Sequence, residues 1–245
     1  MNIGIAAPCN PSEFIDYYYS RDDVPRFNLT ASSIHSIIRG LLKCGHNVVV
    51  SIDINHNLVY EGEHIKVFVL TRKIICKKIG VIDRFYMVSR LKKIIKANIH
   101  SLDVLHAHWT YDYALACAEY SKLLPVFCTI RDWCPYLLKV YNKTIGEKIY
   151  WRVSYWVFRT VIYNQNINFI ANSEYTYNCF LQFVSGKKIP IIYNSIREEF
   201  LKGENKEYPK TPVFIAISTF LDDPRKNMLT LLKAFKKYNA EVPES

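Results

Sequence analysis

Glycine is scarce in this sequence, eight in 245 residues, and none falls between Pro8 and Thr30, where the first apolar run leads to the first helical pattern. That gap excludes the glycine-rich turn through which a backbone approaches a dinucleotide pyrophosphate. The seven cysteines include no Cys-x-x-Cys pair and have no histidine at finger spacing beside them, which removes zinc ribbons and dithiol redox motifs. An odd, scattered cysteine set fits a reducing, cytosolic compartment. Cys117, Cys128 and Cys179 lie in apolar runs, where a thiol behaves as a small buried hydrophobe. No basic segment precedes the apolar run at Met1 to Pro8, which passes directly into Asn10, Ser12 and Glu13, so it reads as a first strand and not as an export leader. Residues 149–163 are the most membrane-like, but Arg152 and Arg159 interrupt them and they fall short of the ~20 apolar residues that span a bilayer. Repeats and low-complexity tracts are also missing, which leaves a globular chain.

What is present begins with charge: 32 Lys and Arg against 22 Asp and Glu, a net +10. Much of the excess lies between Arg72 and Lys96, including Arg84, Arg90, Lys92 and Lys93. Such a patch attracts nucleic acid, anionic lipid or phosphorylated substrate through the same field. Its charges also alternate with Phe85, Met87, Val88, Leu91 and Ile94 at helical spacing, so a solvated helix face explains it equally well. No base-reading motif accompanies the charge, and no nucleic-acid partner is expected.

Short apolar runs alternate with longer helical patterns, the signature of a parallel sheet with crossover helices. Strands are expected at 2–6, 47–52, 65–70, 104–107, 126–130, 168–171 and 190–192. Helices are expected at 31–44, 84–98, 111–123, 144–163 and 174–184, with Gly45 as a left-handed cap and Ser173 as an N-cap. The fold class is therefore α/β: a doubly wound parallel-sheet, Rossmann-like domain over residues 1–195. A polar linker follows at 196–211, and residues 212–245 open a second Rossmann-like domain with a strand at 213–217 and a helix at 228–238. One strand and one helix fall short of the ~50 residues a small domain needs, so the second domain is expected to be incomplete and the chain truncated.

In doubly wound sheets, ligands bind beyond the carboxyl ends of the strands. Asn28 to Ser33 places small residues at the start of the first helix, which offers amide donors to an anion or, more simply, an N-cap through Thr30 or Ser32. Asp103-Val-Leu-His-Ala-His108 ends a strand with two imidazoles on one side, since strand side chains alternate. A metal would need further ligands, and none is visible nearby. Thr129-Ile-Arg-Asp-Trp133 puts a charged pair at the next strand end. Arg131 can fork two hydrogen bonds to a carboxylate or phosphate, and Asp132 can accept from sugar hydroxyls, unless the two simply pair with each other. Arg225 and Lys226, in Asp222-Asp-Pro-Arg-Lys226 ahead of the last helix, form a cationic helix start suited to a diphosphate.

These pieces together resemble glycosyltransferase family 4, retaining enzymes built from two facing Rossmann-like domains in the GT-B architecture. The resemblance rests on Ala31-Ser-Ser-Ile-His35, Cys44-Gly-His-Asn-Val-Val-Val50, Asp103 to His108, Thr129 to Trp133, Ile170-Ala-Asn-Ser-Glu174, Ile191-Ile-Tyr-Asn-Ser195 and Leu221-Asp-Asp-Pro-Arg-Lys-Asn227. It implies an N-terminal half that binds a saccharide or lipid-linked acceptor, with Ser33, His108, Arg131 and Asp132 as candidates for its cleft. It also implies a nucleotide-sugar donor, with Lys226 and Arg225 near its diphosphate, and chemistry without metal or other cofactor, in cell-surface polysaccharide synthesis. No catalytic residue is assigned. Arg131 stands where many members carry a histidine, Thr219-Phe220 replaces the usual Gly-Arg, and the Glu-x7-Glu donor grip would lie downstream of Ser245. Inactivity of this chain alone, or a non-catalytic acceptor-binding or partner-dependent half, is therefore a competing expectation. Cytoplasmic residence with peripheral contact at the inner membrane face, through the basic stretch and the aromatic helix around Trp156, completes the set.

Overall fold

The computed structural model describes residues 1–21, 24, 31–53, 58–70, 80–141, 143–201, 213–218 and 221–242. Within them the chain runs β1 (Asn2–Ala6), a 3-10 helix (Pro11–Tyr17), α1 (Ser32–Lys43), β2 (Asn47–Asp53), β3 (Leu58–Glu61), β4 (Ile65–Leu70), α2 (Gly80–Asn98), β5 (Val104–His108), α3 (Asp112–Ala118), β6 (Val126–Ile130), α4 (Cys134–Val140), α5 (Ile145–Ile162), β7 (Ile167–Ala171), α6 (Glu174–Phe183) and α7 (Met228–Glu241). Two compact units divide it, Met1–Glu198 and Glu199–Ser245.

The first unit holds one seven-stranded sheet in the order β3-β4-β2-β1-β5-β6-β7. All neighbours are parallel except β3, which pairs antiparallel with β4. Counted in chain order, the six parallel strands run 3-2-1-4-5-6, the Rossmann-like arrangement, with the direction of winding reversing between β1 and β5. Central strands in such sheets are covered on both faces, which is why β1 and β6 read as continuous apolar runs without alternation. One apolar cluster lies on each side of the sheet: Ile34, Ile38, Phe14 and Val50 belong to one, and Leu91, Phe158, Phe169 and Phe180 to the other. Full burial of side chains of this size stabilises by about 1.5–3 kcal/mol each.

Local signals placed most elements well. Gly45 takes φ +75° after α1, and Ser173 caps α6 by accepting from the Thr176 N–H at 3.2 Å. Thr144 and Glu147 form a reciprocal capping box at α5, which sets its first turn.

Three expectations need correction, the first being the helix expected at 111–123, which as α3 ends at Ala118. Residues 190–192 form a single bridge, Ala171 to Ile191, because Pro190 has no N–H to extend a ladder. Residues 213–217 pair with no strand among the described residues. The edge strand β3 and the short α4 were not anticipated: four residues with exposed Leu58 and Val59 carry too little periodicity to register. The hairpin from β3 to β4 turns at Gly62, where a Cβ would lie 1.8 Å from the Tyr17 carbonyl oxygen, so only glycine permits that approach. Thr30, Arg72 to Lys78, most of the linker and Thr219-Phe220 lie outside the described residues.

In the Glu199–Ser245 unit, Phe214 meets Phe235 and Tyr238 with ring centroids 5.5 and 5.2 Å apart. Leu229 and Leu232 of α7 stay exposed.

Candidate functional site

In a doubly wound sheet the ligand position lies where the winding reverses, which here is at the carboxyl ends of β1 and β5. Side chains from four distant segments of the first unit converge beside it. Arg131, the residue after β6, is half-buried and donates from Nε to His108 Nδ1 at 3.2 Å, and from Nη1 to Ser33 Oγ and Asn194 Oδ1, each at 2.7 Å. Its guanidinium lies 5.5 Å from the centroid of Trp109. Ser195 Oγ donates to the Ser33 carbonyl at 3.0 Å, which ties the segment after the Ile191 bridge to the start of α1.

Each position follows from a local cause. His108 is the last residue of β5, so its ring falls on the same side as that of His106. The two centroids are 4.2 Å apart, and His106 Nε2 contacts Thr129 Oγ1 at 2.8 Å. Burial, then the Arg131 charge, lowers the His106 pKa to about 4; burial, His106 and Arg131 hold His108 well below its ordinary value. Both rings are therefore neutral at pH 7 and serve as hydrogen-bonding groups, not as charged acids. Because His108 Nδ1 accepts from Arg131, the neutral ring carries its proton on Nε2, a buried atom with no partner among the described residues. Thr110 Oγ1 is buried and likewise unpartnered. Between them Trp109 adopts φ +65°, a left-handed conformation that a bulky residue holds only under constraint.

Arg131 remains protonated despite its burial, which lowers its pKa to about 10. Asp132 points elsewhere and accepts from Tyr111 Oη at 2.8 Å. Sequence adjacency put this pair in one cluster; the turn after β6 sends the two side chains to different partners.

Ser33, His108 and Arg131 are thus brought together, and Asp132 is not. Arg225 and Lys226 belong to the second unit, where Arg225 Nη2 donates to Asp223 Oδ2 at 2.7 Å and Lys226 is exposed. Ser32 does not cap α1: it is the first helical residue, and the N-cap Ala31 makes no side-chain cap bond. Asn194 was missed as a site residue although it stood in the Ile191 to Ser195 motif; its role depends on the chain returning to α1, which no local pattern reports.

A second polar group lies between the start of the 3-10 helix and α1. Arg197 Nη2 reaches Glu13 Oε1 at 2.9 Å, and Arg39 Nη2 donates to the Glu13 carbonyl at 2.7 Å. His35, buried there, accepts the Asn10 N–H at Nε2 at 2.9 Å, and burial lowers its pKa to about 4. Among the described residues no three His, Cys, Asp or Glu side chains converge to hold a metal ion. The thiols of Cys117 and Cys134 are pushed up to about 12 by burial, which suits packing better than nucleophilic attack at neutral pH.

The family model for Glycosyltransferase Family 4 matches residues 30–200. No curated protein matches the chain. Among solved structures, the chain is similar to the UDP-GlcNAc 2-epimerase from Methanocaldococcus jannaschii, at 16% identity and a TM-score of 0.44. The match covers 79% of this chain and 46% of that protein, so the chain spans less than half its length.

Proposed function

The chain belongs to glycosyltransferase family 4, and from that premise we propose that it serves the transfer of a sugar, with retention, from a nucleotide-sugar donor to a saccharide or lipid-linked acceptor in cell-surface polysaccharide assembly. The observation that carries this reading is the Ser33, His108, Arg131 and Asn194 cluster, set at the strand ends where a doubly wound sheet takes its ligand. On this reading the Met1–Glu198 unit holds the acceptor. Lys226 and Arg225 serve the donor diphosphate: negative charge builds on it as the glycosidic bond breaks, and fixed cations stabilise that charge without a metal. Asp223 grips Arg225, which leaves Lys226 the more available of the two.

In a transfer assay on the full chain, Lys226→Ala is expected to lower kcat by ~10²–10³ with a smaller change in acceptor affinity. Turnover equal to the parent's would sink the donor role. A second reading, a non-catalytic acceptor-binding or partner-dependent half, is favoured by the concentration of buried site polarity in the first unit. It predicts saccharide binding with no consumption of nucleotide sugar.

We also propose a membrane contact on α5. Ile145, Ile149, Arg152, Trp156 and Arg159 recur at spacings of three and four along one exposed stripe, and Phe85 of α2 meets Trp156 at 6.3 Å. Phe158, on the opposite side of the helix, is buried. The only acids of the two helices are Glu147, held in the capping box, and Asp83, buried, so the outer face is apolar and cationic. That composition suits the surface of an anionic bilayer. Among the described residues no helix is long and apolar enough to cross one. Co-sedimentation with vesicles is expected to rise with the anionic lipid fraction and to fall several-fold in Trp156→Ser; binding indifferent to lipid charge would overturn the contact.

A further inference from the structure

We propose that the Arg131 cluster is an anion subsite, so that the acceptor held in this cleft carries a phosphate or carboxylate that pairs with the Arg131 guanidinium. The proposal rests on the acceptor-side reading above and names the chemical class of that ligand.

The first ground is an uncompensated charge. Buried Arg84 is paired with Asp112, and the partly exposed Arg39 and Arg197 with Glu13. Among the described residues Arg131 meets only neutral acceptors, an imidazole nitrogen, a hydroxyl and an amide oxygen. Among the described residues no carboxylate lies within 4.0 Å of it. A cation drawn partly out of water without a counter-charge is held at a cost of free energy, and an arriving anion repays it.

The second ground is the unused donor face. The three hydrogen bonds employ Nε and Nη1, and Nη2 has no partner among the described residues. The two N–H groups of Nη2 are left to donate to an oxygen of a carboxylate or phosphate, a charge-assisted bond stronger than a neutral one.

The third ground is α1, a helix of 12 residues that starts without a capping side chain one residue before Ser33. Its positive end lies beside the Arg131 cation through the Ser33 hydroxyl. Two positive groups in contact repel unless an anion sits with them, and first-turn N–H groups are themselves anion donors. Strained Trp109, beneath the guanidinium, and the orphaned His108 Nε2 and Thr110 Oγ1 mark the same strand end as one organised for a ligand at the expense of stability.

Calorimetric titration of the full chain with glucose 6-phosphate, glucuronate and glucose tests this. At least one anionic sugar is expected to bind ten-fold or more tightly than glucose, and the stronger of the two identifies the phosphate or carboxylate source. Arg131→Gln, which keeps a hydrogen-bonding side chain but no charge, is expected to weaken that anion ~10–100-fold and leave glucose unchanged. Lys226→Ala is expected to retain the anion affinity, which separates this subsite from a donor diphosphate site. Should Arg131→Gln fail to fold, the parent supplies the answer: its Tm must rise with the anionic sugar and not with sodium chloride at equal ionic strength. Equal binding of anionic and neutral sugars, an unchanged affinity in Arg131→Gln, or an affinity lost in Lys226→Ala each overturns the proposal. Binding is read without turnover, so an inactive protein with a clear anion preference leaves the subsite standing, whereas transfer to an acceptor with no such preference removes only the subsite.

Discussion

Arg84→Ala is expected to destabilise the first unit by about 3–5 kcal/mol, the range for removing one partner of a buried ion pair. Arg84 sits in a run of basic residues, yet it is buried, at 4% exposure, and its neighbours explain why. Its Nε donates to Asp112 Oδ1 at the start of α3, and its Nη1 donates to Ser154 Oγ of α5 at 2.5 Å. Tyr111 and Tyr150 flank the guanidinium, at 5.7 and 5.0 Å from their ring centroids. One side chain thus links α2, α3 and α5 across the sheet face that also carries Phe158. Alanine would leave a cavity and strip Asp112 of its guanidinium, a loss that is large against a typical total stability of ~5–15 kcal/mol. Arg84→Met refills much of the volume, and Arg84→Met combined with Asp112→Asn also removes the stranded charge, so both should recover part of the loss. Urea unfolding of the four proteins provides the measurement. An Arg84→Ala midpoint within experimental error of the parent would show that the ion pair contributes nothing net.

Acidification is the second large perturbation. His35 and His106 each have a pKa near 4 in the fold against about 6.5 in the unfolded chain, chiefly because burial penalises the charged ring, and His108 is lowered in the same direction. The unfolded chain therefore binds more protons than the fold between these values, and stability must rise with pH across them. The stabilisation is fully present above about pH 6.5 and is lost as pH falls toward 4. A displacement of this size corresponds to ~3 kcal/mol for each of His35 and His106, so the fold should lose several kcal/mol by pH 4.5. Urea midpoints at pH 7.5, 6.0, 5.0 and 4.5 should descend steadily, and His35→Gln should flatten the descent. A midpoint independent of pH over this interval would mean that these rings open to water more readily than their burial implies.

Legibility in the sequence tracked how local the cause was. β4 occupies residues 65–70 as expected because Ile65, Val67, Phe68, Val69 and Leu70 make a short apolar run rich in β-branched residues. Gly45 and Ser173 were readable because a left-handed cap and an N-cap are single-residue requirements. The pair His106 and His108 was readable as one-sided from strand periodicity alone. Arg84 was not separable from Arg90 or Lys93 by composition: its burial depends on Asp112 and Ser154, 28 and 70 residues away. Asp132 was grouped with Arg131 by adjacency, and the partner that claims it, Tyr111, belongs to another strand end.

By itself the sequence determined the alternation of strands and helices, the sheet ends at which polar residues gather, and the motif order shared with family 4 glycosyltransferases. These follow from periodicity, capping and turn chemistry, which act over a few residues. Only the tertiary structure decided that Arg131 meets Ser33, His108 and Asn194, and that no described carboxylate neutralises it. Such contacts arise when the order of strands in the sheet brings residues up to 98 positions apart within hydrogen-bonding distance. Strand order is set by the burial of whole faces, a sum over the entire core that no short window of sequence contains.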